Sequence, residues 1–294
     1  MKSVSLLVTG KTEEVLHQSL KQVFPSVEFV MLPRQEGFTS VSLVSPPKLF
    51  IERNAPRPTN VERLVAALVA EVEPGRRDKK APDLVVLVDD LELVNHAQPD
   101  RAVENVRTAM EAYVNSHPWP NAASRQRAQA RVRERCSFHI LSPMVEAYFF
   151  PESAALARAG AKRPSMVNAS TTDVESFLVN EPAFLAPPNR TSKSTPPPWA
   201  IPDRARHPKS YLQFLCDPTG KEMRAYVETV GGQAALRDLN WSAVLMPPSH
   251  VCFVRSLIHD IADALGEHAE AQRFRGTTHP LTWPPPHNNL LRNI

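Results

Sequence analysis

The stretch Leu84-Val85-Val86-Leu87-Val88-Asp89-Asp90 is an unbroken run of aliphatic residues that ends in two carboxylates. An apolar run without polar alternation leaves no face suited to water, so it predicts a strand buried on both sides, as at the centre of a parallel sheet. The flanking sequence agrees. Val4 to Val8 is a second strand-length run, followed by Gly10 and by Thr12 to Phe24, where Val15, Leu16, Leu20 and Val23 recur at helical spacing. Val27 to Leu32 and Thr39 to Val44 read as further short strands. Thr59 or Asn60 caps an amphipathic helix whose apolar set is Val61, Leu64, Val65, Leu68, Val69 and Val72. Residues 99–134 read as helical, Cys136 to Leu141 as a strand, and Met144 to Phe150 as a short helix opened by Pro143. Strands alternating with helices predict an α/β domain, a mostly parallel sheet flanked by helices.

After residue 159 the character changes. Eight prolines fall between Pro182 and Pro208, including Pro196-Pro197-Pro198, among Ser, Thr and Asn, so residues 160–206 read as a loop or extended insertion. Helical periodicity returns at Tyr211 to Leu215, Glu222 to Val230, Ala234 to Leu239 and Val251 to Leu265. The expected organisation is an α/β domain over 1–159, the proline-rich insertion over 160–206, a helical part over 207–266 packed on that domain, and a proline-rich tail over 267–294 lying on the surface. No internal repeat is visible.

Composition narrows the chemistry. With 29 Pro and only 9 Gly in 294 residues, the chain lacks the closely spaced glycines of phosphate-cradling loops. Its 34 Lys+Arg against 31 Asp+Glu give a net charge of +3, too small to imply nucleic-acid binding unless a local patch supplies it. Cys136, Cys216 and Cys252 are far apart and show no metal-ligand spacing, which argues against a disulfide framework or a structural zinc site. No signal-like or membrane-length apolar segment stands out, so a soluble, cytoplasmic protein without a membrane partner is expected.

Ligands of open α/β sheets gather at the carboxyl ends of the strands. Carboxylates stand there in this sequence: Asp89, Asp90 and Glu92 after Val88, Glu13 and Glu14 after the first run, and Glu146 after Leu141. Clustered carboxylates suit a hard cation such as Mg²⁺ or Mn²⁺, which can activate water for phosphodiester cleavage. The same residues are also the ones that simply cap helix N-termini. Glu146 fits that second reading least well, because it lies within the apolar run Met144-Val145-Glu146-Ala147-Tyr148-Phe149-Phe150.

Three segments, VTGKTEE, LVVLVDDLE and SPMVEAYFF, resemble three stations of a Toprim domain, the Rossmannoid fold of topoisomerases, primases and OLD-family nucleases. The chain is more closely similar to a family of Toprim-like proteins found beside AAA-type ATPases in bacterial defence loci. That family adds a His-Pro-Lys segment, here His207-Pro208-Lys209, and a Tyr-x-Glu segment, here Tyr226-Val227-Glu228, followed by Gly231-Gly232. The similarity spans roughly residues 4–265 and implies a Mg²⁺-dependent nuclease subunit in an anti-phage complex with an AAA- or ABC-type ATPase, and it leaves room for a homo-oligomer. It places Glu13, Asp89, Asp90 and Glu146 as catalytic groups, with Glu13, Asp89, Asp90 and Glu92 around the metal. Gly10 would sit where the backbone approaches that metal.

Two departures bear on activity. At the acidic pair, the family's Asp-x-Asp corresponds either to Asp90-Leu91-Glu92 or to Asp89 with its partner lost at Leu91. The first Toprim glutamate corresponds to Thr9, and a hydroxyl supplies neither anionic ligation nor a base near neutral pH. The alternative is therefore a degenerate Toprim module that binds nucleic acid or an ATPase and performs no chemistry. For nucleic acid, the candidate contacts are Lys11, Arg125, Arg127, Arg131, Arg133 and Lys209. The arginines follow either a phosphate backbone or water on a solvated helix face. Arg76-Arg77-Asp78-Lys79-Lys80 reads as a solvated loop, and His139 and His207 as structural unless a carboxylate stands beside them.

Overall fold

The computed structural model describes residues 1–40, 42–43, 59–73, 80–168, 171–187, 196–245, 251–267 and 289–294. Its elements run β1 (Ser3–Val8), α1 (Leu16–Val23), β2 (Glu28–Met31), α2 (Asn60–Val72), β3 (Leu84–Asp90), α3 (Pro99–Ser116), α4 (Ala122–Arg135), β4 (Cys136–Leu141), α5 (Ser153–Arg158), α6 (Pro182–Leu185), α7 (Pro208–Cys216), α8 (Gln233–Arg237), α9 (Trp241–Val244) and α10 (Cys252–Leu265). They fall into two compact units. One holds Met1–Gly10, Phe24–Leu141 and Cys252–Ile294; the other holds Lys11–Val23 and Ser142–Val251.

The first unit is the α/β part. Its four strands lie in the order β2-β1-β3-β4 and every pairing is parallel. Val4 pairs with Leu84 and Val8 with Val88, while Val85 pairs with Cys136 and Asp90 with Leu141. β3 is thus internal, and Leu84 to Asp89 are all buried. Side chains alternate across the sheet. Leu7, Val85, Leu87, Cys136, Phe138 and Ile140 pack with the apolar stripes of α2, α3 and α4. The opposite side of β4 carries His139, which meets Asp260 of α10. Local signals set the helix starts: the Thr59 hydroxyl accepts from Glu62 N and the Glu62 carboxylate from Thr59 N at 2.5 Å, Pro99 opens α3, and Asn121 caps α4 through Ser124 N at 2.8 Å.

Several expectations need correction. The strand expected over Thr39–Val44 is not formed in its described residues; Thr39, Ser40 and Leu43 lie in turns, and residues 41 and 44 fall outside the described set. The helical reading of 99–134 holds, as two helices, α3 and α4. Of the expected surface tail, residues 268–288 lie outside the described residues, but 289–294 belong to the core. Leu291 and Ile294 are fully buried, and Arg292 N donates to Cys136 O at 2.7 Å. Asn293 imitates a strand: its side chain accepts from Phe138 N at 3.0 Å and donates to Phe138 O at 2.6 Å, occupying the edge of β4.

The second unit is helical and is built around aromatic residues. Phe150, Phe177, Phe184, Trp199, Tyr211 and Phe214 form a chain of ring contacts with centroids 4.8–6.3 Å apart. These contacts tie the proline-rich stretch down. Phe177, Phe184 and Trp199 come from it, and Arg204 donates to the carbonyls of Phe184 at 2.9 Å and Leu185 at 2.8 Å. Short helical turns at Val174–Ser176, Pro182–Leu185 and Arg204–Arg206 interrupt the expected loop. The helix expected over Glu222–Val230 is replaced by a loop and a π-helical turn at Glu228–Gly232, because Tyr226 N donates at 2.8 Å to the Gln213 side chain.

Candidate functional site

In the first unit the strand-end carboxylate is Asp89, on the sheet side that faces α2 and α3. The Thr9 hydroxyl, one rung beyond the Val8–Val88 pair, donates to Asp89 Oδ1. Thr39 Oγ1 lies 3.2 Å from Asp89 Oδ2 and 2.6 Å from Asp90 O. The Phe38 backbone N–H also donates to the carboxylate. Asp89 is 3% exposed, and burial pushes its pKa up to about 6 against the opposing pull of these donors. The Thr39 hydroxyl has a single proton for Asp89 Oδ2 and Asp90 O, and the Asp90 carbonyl is the nearer acceptor.

The glycine that lets backbone approach this carboxyl is Gly37, where the sequence pointed to Gly10. A Cβ at position 37 would lie 2.8 Å from Asp89 Oδ1 and 3.4 Å from the Thr9 side chain. Asp90 is half-buried. Glu92 holds the uncommon backbone angles φ 62°, ψ 151°, a strained conformation for a residue with a side chain.

In the second unit, Glu146 meets Tyr226, whose hydroxyl also feels the charge of Glu13. Glu13 sits on a 3₁₀ turn, Thr12–Val15, and Glu146 on another, Val145–Phe149; they are 2% and 3% exposed. Tyr226 donates its hydroxyl to Glu146 Oε1 at 2.9 Å, and the Thr12 side chain is hydrogen-bonded to the same hydroxyl. Burial, then the Glu146 charge, and more weakly Glu13, hold the Tyr226 pKa well above its usual value. Gly232 makes room, since a Cβ there would lie 2.5 Å from the Tyr226 hydroxyl and 2.9 Å from Thr12 Oγ1. Lys209, in the first turn of α7, is ion-paired to Glu228 at the start of the π turn. The turn after β1, the Glu-Ala-Tyr segment, the Lys of His-Pro-Lys, the Tyr-x-Glu segment and the glycine pair are therefore neighbours in this unit.

The basic residues are mostly engaged. Arg127 and Arg131 share Glu73 Oε1 at 3.6 and 3.1 Å, with their side chains 54% and 38% exposed. Arg125 donates to Asn115, Arg133 to Asn289 O at 2.8 Å, and Arg135 to Pro82 O at 3.4 Å. Lys11 is exposed. Residues 76–79 of the other basic run lie outside the described residues.

The two histidines resolve differently. His207 caps α7 by accepting from Ser210 N at 3.2 Å, and burial followed by the Lys209 charge pushes its pKa down to about 4, so it is neutral. His139 does have a carboxylate neighbour: its Nε2 is 3.1 Å from Asp260 Oδ2, and Asp260 also accepts from Arg292 Nε at 2.8 Å. Burial alone would raise the Asp260 pKa, but His139 and Arg292 together bring it below the usual value. A groove of about 650 Å³ in the second unit is bounded by α5 and residues 161–168. Its cations Lys162 and Arg163 are paired with Glu222 and Glu181.

A divalent cation fits the first unit poorly, because hydroxyl and amide donors already address both oxygens of Asp89. Among the described residues, no three His, Cys, Asp or Glu side chains are grouped so as to hold a metal ion. Among the described residues, no helix is long and apolar enough to cross a membrane. No family model, curated protein or solved structure matches the chain.

Thr39, Gly37 and Tyr226 are the partners that sequence reasoning did not assign to the sites. Gly37, one of only nine glycines, carried a readable signal of close backbone approach. Thr39 carried none, being 50 residues from Asp89 in the chain.

Proposed function

We propose that the chain is a Toprim-like module that binds nucleic acid without cutting it, as a subunit working beside an ATPase. The observation that carries this reading is the Asp89 carboxyl, whose two oxygens meet the hydroxyls of Thr9 and Thr39. Thr9 stands where the resembled family has a glutamate, and its hydroxyl ties down the neighbouring acid. The strand-end acid thereby becomes part of a hydrogen-bonded core. Binding falls to α4, which presents five arginines against the single acid Glu134. Ion pairs as exposed as those of Arg127 and Arg131 are worth little, so both guanidiniums can transfer to phosphates.

The test is fluorescence anisotropy with labelled single- and double-stranded DNA and RNA, in EDTA and at several salt concentrations. Binding that survives EDTA and weakens steeply with salt is expected. Binding that requires a divalent cation, or no binding to any of the four probes, would overturn the reading.

A second reading, a metal-dependent nuclease, is favoured by two buried carboxylates of the second unit, Glu146 bonded to Tyr226 and Glu13 near enough to act on the same hydroxyl by its charge. Mg²⁺ delivered with a phosphate substrate needs only one or two protein carboxylates, and it would supply an activated water at such a pair. Loss of metal-dependent cleavage in Glu146→Gln, with folding intact, is the result that reading requires.

A further inference from the structure

The segment after β2 does not leave the sheet directly. Leu32 N donates to Leu6 O at 2.9 Å and Gln35 N to Val8 O at 3.2 Å, so the chain first follows the edge of β1. It then crosses the carboxyl ends of β1 and β3. Gly37 O accepts from Asn60 Nδ2 at 3.0 Å, Phe38 sits in the core 6.2 Å from Phe138, and Thr39 reaches Asp89 and Asp90. Asn95, fully buried just beyond β3, clamps the far side: its Nδ2 donates to Thr39 O at 2.6 Å and its Oδ1 accepts from Leu43 N at 2.9 Å.

We infer that Gly37–Thr39 is a strap closed over the carboxyl ends of β1 and β3, held by Asp89 and Asn95, and that it governs access to the Asp89 carboxyl. In open α/β sheets this is the ground on which ligands settle. Here backbone and hydroxyl groups of the strap occupy it. The inference rests on the reading of Asp89 as a core acid and adds the element that keeps it one. Three separate elements hold the strap: β3 through Asp89, the segment after β3 through Asn95, and α2 through Asn60. The strap has almost no side-chain volume at its tightest point, where only glycine fits against Asp89 Oδ1. Phe38 anchors the middle of the strap in the core beside Phe138, and polar contacts hold its margins, so the strap opens locally only as those contacts and the Phe38 anchor are released together.

The experiment is carboxyl labelling of the full chain with a carbodiimide and glycinamide, read by peptide mass spectrometry together with amide hydrogen exchange. In the unmodified protein, Asp89 should label far more slowly than exposed carboxylates. Asn95→Ala removes the buried hydrogen bond to Thr39 O of the strap and the one from Leu43 N just after it, and Gly37→Ala pushes the strap off the carboxyl. Each should raise Asp89 labelling and exchange in residues 36–43 by roughly tenfold, with β1 and β4 unchanged. Fast labelling of Asp89 in the unmodified protein, unchanged labelling in both variants, or a rise spread evenly over the sheet would each overturn the inference. Metal-dependent cleavage by the unmodified protein would instead sink the non-cutting role and leave this readout standing.

Discussion

Thr9 Oγ1 donates to Asp89 Oδ1 across neighbouring ends of β1 and β3. Residues 80 positions apart are brought together by the parallel register alone, and the bond decides what the strand-end acid can do. Replacing Thr9 by Val keeps the shape and removes the donor. A loss of about 1–3 kcal/mol in urea unfolding is expected, the cost of leaving a buried acceptor unmet. Thr9→Glu should cost about 3 kcal/mol or more, because a second carboxylate then crowds a buried one. A neutral or stabilising Thr9→Glu would mean that the site accommodates paired acids.

Stability should fall as pH rises through the range in which Asp89 ionises. Its folded-state pKa of about 6 lies above the ordinary 3.8, so the folded protein holds this proton more tightly than the unfolded chain. The contribution is complete below about pH 4 and is lost as pH rises through about 6, amounting to about 3 kcal/mol as an order of magnitude. Asp89→Asn removes that titration. Its unfolding free energy, measured by urea titration at pH 4.5 and 7, should change less between the two values than that of the unmodified protein.

Tyr226→Phe isolates the second unit. The substitution preserves the ring and deletes the hydroxyl that donates to Glu146 Oε1. A loss of about 1–3 kcal/mol is expected, and Glu146→Gln combined with Tyr226→Phe should cost less than the sum of the two single changes. Strict additivity in thermal or urea unfolding would show that the pair is not coupled.

The fold was more legible than the site, for physical reasons visible in particular residues. A strand buried on both faces must be apolar throughout, so Leu84 to Val88 declared itself, and the parallel sheet followed from helices alternating with such runs. Thr39 to Val44 has strand-like residue types, yet Thr39 spends its hydroxyl on Asp89 and Asp90 and its carbonyl on Asn95. The C-terminal residues Asn289 to Ile294 follow a proline-rich stretch and look peripheral, although Leu290, Leu291 and Ile294 are apolar. Asn293 nevertheless pairs as a strand through its amide, a long-range contact that no local pattern announces. The acids were readable as residues that end strands. Their partners were not, because Thr9, Thr39 and Tyr226 meet them only after distant segments have folded together.

Arg127→Ala with Arg131→Ala tests the binding face. Both side chains are partly exposed and share Glu73, so stability should change by no more than about 1 kcal/mol. Nucleic-acid affinity should drop for every sequence tried, and the slope of log K against log salt should shrink by about 2. An unchanged slope in anisotropy titrations would place the binding surface elsewhere.

The central claim, that the Asp89 position is a hydrogen-bonded core and the module does not cut, is tested most directly by incubating the purified protein with end-labelled DNA and RNA in Mg²⁺ or Mn²⁺. The account predicts intact substrates at concentrations that saturate binding, with Asp89→Asn indistinguishable from the unmodified protein. Metal-dependent cleavage that disappears in Asp89→Asn would contradict it.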